Sequence, residues 1–108
     1  MIQEVAATIR SCLAEPAWAV AYAGDEFVVV LPGLARDPAL AKAQEIRACI
    51  RDTLYLGATG RTVRLSASFG VATYPDDATD LVKLLALGDQ ALFSVKDDGR
   101  DGIASAGA

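Results

Sequence analysis

The chain contains no histidine. Its absence excludes imidazole acid–base catalysis, Ser–His and Cys–His nucleophile pairs, and most zinc sites. Cysteine is scarce: only Cys12 and Cys49 occur in 108 residues. They lie far apart in helical patterns and read as small buried fillers of a reduced, cytoplasmic protein, with a disulfide or redox role as the alternative. Basic blocks are missing and the net charge is −4. Nucleic-acid binders usually show a basic face, so no nucleic-acid partner is expected. No apolar run approaches the roughly 18–20 residues of a membrane span, so no membrane partner is expected either. The start, Met1-Ile2-Gln3-Glu4, lacks the basic region of a secretory signal. With imidazole absent and thiols sparse, metal chemistry must use oxygen ligands, which favours Mg2+ or Mn2+.

What is present points to a globular chain. Hydrophobic residues make up 53% and charged residues 22%, enough apolar material for one domain spanning 1–108. Ile2, Val5, Ala6, Ile9 and Leu13 recur at helical spacing, predicting a helix over roughly 2–14 that Glu15-Pro16 ends. Trp18, Val20 and Tyr22 alternate with alanines, and Phe27 to Leu31 is wholly apolar. This predicts a β-hairpin turning at Ala23 to Glu26, its second strand buried on both faces. Asp37-Pro38 starts a helix carrying Leu40, Ala43, Ile46, Ile50 and Leu54, stopped near Gly57. Alternation from Val63 to Thr73 predicts one long strand that Pro75 ends. Thr79 reads as the cap of a last helix that runs out at Asp98-Gly99, and Ile103 lies in a short final strand. The order α, hairpin, α, β, α, β predicts an α+β sandwich.

Four patterns carry candidate chemistry. Gly24-Asp25-Glu26 puts two adjacent carboxylates on a turn directly before an apolar strand, where a divalent metal and a triphosphate would find them at one defined place. By itself the same pattern suits a charged hairpin tip. Ser68-Phe69-Gly70-Val71-Ala72, then Tyr74-Pro75, is a strand with a small-residue face, suited to close backbone packing. Gly88-Asp89-Gln90-Ala91-Leu92-Phe93 lies on the last helix. Lys96 and Arg100, at four-residue spacing at that helix's C-terminus, fall on one side, suited to phosphates or to helix-dipole compensation.

In this order and spacing, the four patterns resemble the GGDEF family, the diguanylate cyclases, over essentially the whole chain. The resemblance implies a polymerase-palm or ferredoxin-like (nucleotidyl cyclase) sandwich that lacks its first strand here. It implies two facing domains, each binding one GTP, with the 3′-hydroxyl of one GTP attacking the α-phosphate of the other to give cyclic di-GMP, assisted by two metal ions. Carried over residue by residue, Asp25 is the metal-coordinating and catalytic acid and Glu26 the second signature acid. Gly24 permits close approach of the phosphates, and Lys96 and Arg100 contact them. Mg2+ or Mn2+ is the implied cofactor, GTP the implied substrate, and a homodimer or strand-swapped oligomer the expected assembly.

The match departs from the family at named places. Ala23 stands for the first signature glycine and Ala21 for the arginine that precedes the signature. Ala14 and Ala17 occupy the ends of the inhibitory R-x-x-D site, so product feedback through it is not expected. The family's upstream pattern D-x-D-x-F-K-x-x-N-D, with its other metal aspartate and guanine-reading residues, is not found in these 108 residues. The expectation is a truncated GGDEF domain, inactive by itself; the alternative is a degenerate module acting by domain–domain interaction. Without a first strand, residues 27–31 and 63–73 either close on each other in parallel or leave a gap that a second chain fills, and the second outcome is favoured.

Overall fold

The computed structural model describes residues 2–23, 26–57 and 60–106. Three helices and six short strands follow in the order α1 (Ile2–Ser11), β1 (Trp18–Ala23), β2 (Glu26–Val30), α2 (Arg36–Asp52), β3 (Leu54–Leu56), β4 (Thr62–Arg64), β5 (Phe69–Val71), α3 (Leu81–Asp97) and β6 (Ile103–Ser105). The chain divides into two compact units. One comprises Met1–Gly33 and Glu45–Ser66, the other Leu34–Gln44 and Ala67–Ala108.

In the first unit, α1 stops three residues earlier than its apolar spacing predicts. Cys12 and Leu13 instead close tight turns onto the carbonyls of Ile9 and Arg10, each at 3.1 Å. β1 and β2 form the expected antiparallel hairpin, pairing Trp18 with Val30, Val20 with Val28 and Ala21 with Phe27. The register slips between Ala21 and Ala23, a bulge that strengthens the local twist, and the ladder ends at the Ala23–Glu26 pair. β2 is half-buried along its whole length, not fully buried on both faces as its composition predicts. Its ladder is with β1, and Trp18, Val20 and Tyr22 on β1 stay 51%, 46% and 63% exposed. The alternation found the strand; the side it turns to solvent is the large apolar one.

The buried side chains of this unit are Ala6, Ile9, Ile46, Ile50 and Tyr55. The Tyr55 hydroxyl is satisfied by donating to Thr8 Oγ1 at 2.8 Å, which ties α1 to β3. Helical spacing predicts that Leu54 extends α2. The helix ends at Asp52, where the Thr53 hydroxyl donates to the Cys49 carbonyl at 2.6 Å. From there Leu54–Leu56 pairs antiparallel with Thr62–Arg64, leaving Leu54 exposed and Tyr55 buried.

In the second unit β5 pairs in parallel with β6, and α3 is the crossover between them. The strand predicted over 63–73 is therefore two strands: its beginning serves the β3–β4 hairpin and its end the β5–β6 pair. Direct closure of residues 27–31 on that strand is not among the described ladders. Asp80, not Thr79, caps α3, its carboxylate accepting the Val82 amide at 2.8 Å. Gly70 explains how closely β5 meets α3. A Cβ built there would overlap the Gly88 carbonyl oxygen and the Leu92 amide nitrogen.

Candidate functional site

The hairpin presents the acidic candidates. Antiparallel pairing brings the strands together up to Ala23 and Glu26, so Glu26 is the first paired residue of β2. Glu26 is half-buried at the start of β2 and is engaged in an interaction there. Gly24 and Asp25 lie outside the described residues. Among the described residues, no group of three or more acidic or thiol side chains is placed to hold a metal ion. The described donors therefore do not by themselves make a divalent-cation site.

The basic candidates lie at the C-terminal end of α3. Lys96 is half-buried in its last turn and is engaged in an interaction. The helix is closed by Asp98 as C-cap, whose amide donates to the Ser94 carbonyl at 3.1 Å. Gly99 then turns left-handed at φ 106°, and the Arg100 amide reaches back to the Val95 carbonyl at 2.8 Å. That is the hydrogen bond of a Schellman ending. The helical four-residue relation predicted for Lys96 and Arg100 therefore does not apply, because the backbone leaves the helix between them. Arg100 is exposed, and it and Asp101 both sit at positive φ, 67° and 53°. Each such residue costs about 1–2 kcal/mol relative to the right-handed basin. The Asp101 amide donates to Ser68 Oγ at 3.0 Å, which pins this turn to the segment entering β5. Strain held by surrounding bonds is a feature of positioned residues.

The hairpin belongs to the first unit and the end of α3 to the second. Ala14 and Ala17, the ends of the expected feedback motif, are joined by a tight turn, the Ala17 amide donating to the Ala14 carbonyl at 3.0 Å.

Sequence reasoning missed a polar brace in the second unit. The Asp77 carboxylate, 5% exposed, accepts Arg36 Nη2 at 2.5 Å and the Thr73 amide at 2.7 Å. Arg36 Nε and Thr73 Oγ1 are buried beside it without a hydrogen-bond partner in the structure. The acid pair Asp76-Asp77 after Tyr74-Pro75 was the available signal, and only packing turns Asp77 inward. An open groove of about 460 Å³ is lined by Leu87, Gln90, Ala91, Ser94 and residues 103–106. It holds no titratable side chain, so it is not a catalytic candidate.

Comparison with known proteins identifies the arrangement. Residues 1–102 match the model of the diguanylate cyclase GGDEF domain. Diguanylate cyclase A of Treponema denticola is 29% identical over 95% of this chain and 28% of its own length. The diguanylate cyclase DosC of Escherichia coli is 33% identical over 76% of this chain and 18% of its own. The chain thus spans less than a third of either relative. The solved GGDEF domain of YfiN (also TpbB) from Pseudomonas aeruginosa superposes with a TM-score of 0.90 at 30% identity, covering 99% of this chain and 66% of that one.

Proposed function

Because this chain belongs to the GGDEF family of diguanylate cyclase domains, we propose that it serves cyclic di-GMP signalling as part of a GTP-binding half-site. What supports this reading is the register of β1 and β2, whose last described pair, Ala23 with Glu26, has the second signature acid as the first residue of β2. Asp25 is the residue we assign to a divalent ion, Mg2+ or Mn2+, with Glu26 as the second acid and Gly24 as the small residue that lets phosphates approach. Lys96 and Arg100 are the phosphate-binding cations, Arg100 projecting from a turn that its own backbone bonds define. The protein is cytoplasmic, and residues 1–108 are one GGDEF domain that assembles as a homodimer or strand-swapped oligomer. No helix of the described residues is long and apolar enough to cross a membrane.

By itself the 108-residue chain binds GTP without turning it over, because its sequence holds no D-x-D acid pair to share a two-metal site with Asp25. Calorimetry with GTP and Mg2+ should show weak binding, reduced roughly tenfold by Lys96→Ala, the loss of about one charge-assisted hydrogen bond. Chromatography of the same mixture should show no cyclic di-GMP. Absence of GTP binding at millimolar nucleotide would remove the half-site. Product formed at the rate of an intact cyclase would overturn the inactivity.

A further inference from the structure

The Schellman bond at the end of α3 fixes the Arg100 amide and leaves the rest of that residue undecided. The amide donates to the Val95 carbonyl at 2.8 Å, which sets the backbone as far as the Arg100 nitrogen. The φ and ψ torsions of Arg100 lie beyond that bond, and they determine where its Cα–Cβ bond points. The next fixed point along the chain is the Asp101 amide, which donates to Ser68 Oγ at 3.0 Å. After it, the Gly102 carbonyl accepts the Phe69 amide at 2.9 Å, and β6 joins its parallel ladder with β5. Arg100 at φ 67° and Asp101 at φ 53° are both left-handed, and a residue with a Cβ relaxes to right-handed or extended backbone unless it is held. Ser68, half-buried just before β5, supplies the hold nearest to Arg100 on that side. Both amides of the turn are used inside the protein, at Val95 and at Ser68, so they do not form a backbone cradle for an anion. A contact from this turn to a phosphate falls to the exposed Arg100 side chain.

We propose that Ser68 is the positioning residue for the phosphate contact of Arg100; this rests on the reading of Arg100 as a cation for the GTP phosphates. The Ser68 hydroxyl itself touches no phosphate. By accepting the Asp101 amide it keeps Arg100 left-handed and sets the direction in which the guanidinium leaves the backbone. A side chain whose root is already fixed loses less freedom when phosphate orders it, so binding is tighter. All of these residues belong to the second unit. Removing the hydroxyl leaves the Val95 bond, the Phe69–Gly102 bond and the β5–β6 ladder in place, so the turn loosens while the unit stays folded.

The test is calorimetric titration with GTP and Mg2+ of the wild type, Ser68→Ala, Ser68→Thr, Arg100→Ala and the Ser68→Ala, Arg100→Ala double variant. Arg100→Ala should weaken binding roughly tenfold and Ser68→Ala about threefold. Ser68→Thr keeps the hydroxyl and should bind as the wild type does. In the Arg100→Ala background, Ser68→Ala should weaken binding no further, because Ser68 acts through that guanidinium alone. A loss of the same size in both backgrounds, or no loss in either, would overturn the positioning role. Nuclear magnetic resonance without nucleotide gives the second readout. Cross-relaxation between a residue's own amide and Hα hydrogens is strong at positive φ, where the two lie close. It should be strong for Arg100 and Asp101 in the wild type and in Ser68→Thr, and weaker in Ser68→Ala. An unchanged signal in Ser68→Ala would overturn the hold on the turn. A wild type that shows the expected signals and binds no GTP would instead overturn the half-site, and with it the phosphate role of Arg100.

Discussion

Arg100 shows how a single side chain is placed by backbone that carries a cost. Its φ of 67° is one that a residue with a Cβ adopts at a penalty, and Asp101 follows in the same region. Three hydrogen bonds hold the turn: Asp98 to Ser94, Arg100 to Val95, and Asp101 to Ser68. Replacing Arg100 with glycine removes the penalty and keeps the amide that bonds Val95. Arg100→Gly should therefore raise the urea midpoint, by about 0.5–1 kcal/mol of stability, while weakening GTP binding in calorimetry. A variant that lost stability would show that the side chain, not the conformation, is what the fold needs there. The motif made this arginine a candidate, and Asp98-Gly99 marked the end of α3; the left-handed backbone of Arg100 was not legible, because a glycine signals the stop without fixing the residue after it.

At the level of elements, the packing of β5 on α3 depends on two glycines with opposite demands. Gly70 has no room for a methyl group, since backbone atoms of Gly88 and Leu92 occupy the space and cannot rotate away. Gly70→Ala should destabilise by about 3 kcal/mol, the upper end of overpacking. A Cβ built on Gly88 would lie 3.9 Å from Ala72 Cβ and from the Gly70 carbonyl oxygen, ordinary contact distance. It lies inside α3, where glycine costs about 0.8–1 kcal/mol relative to alanine, so Gly88→Ala should stabilise by that amount. Urea unfolding of the two variants gives the signs; destabilisation by both would mean that the helix sits closer to the strand than described. The small-residue run around Gly70 signalled close packing in the sequence. Which glycine could be replaced was decided by the helix that lies over it.

For the whole molecule, the open question is how many chains make the stable unit. β2 consists of one glutamate, one phenylalanine and three valines, pairs on one side with β1, and remains half-buried throughout. β1 turns Trp18, Val20 and Tyr22 outward. Apolar strands with an unpaired edge favour pairing with another chain. Light scattering coupled to size exclusion should therefore give a mass at or above twice the 11.3 kDa of one chain. A monomer across a wide concentration range would sink the proposed dimer and strand-swapped assembly together.

Local chemistry was enough to specify much of this protein. Helical spacing gave α1 and the body of α2, alternation gave the β1–β2 hairpin, and the run from Leu81 to Asp98 gave α3, because each signal lies within a few turns of chain. Four motifs in family order identified the domain, since their spacing is itself sequence. Tertiary structure alone decided the rest. Residues 63–73 were divided between two strands by partners at Leu54–Leu56 and Ile103–Ser105. Tyr55 was buried in place of Leu54, and Asp77 was drawn inward by Arg36. Periodicity reports which faces of a segment are apolar. It carries no term for the distant backbone and side chains that compete to cover them.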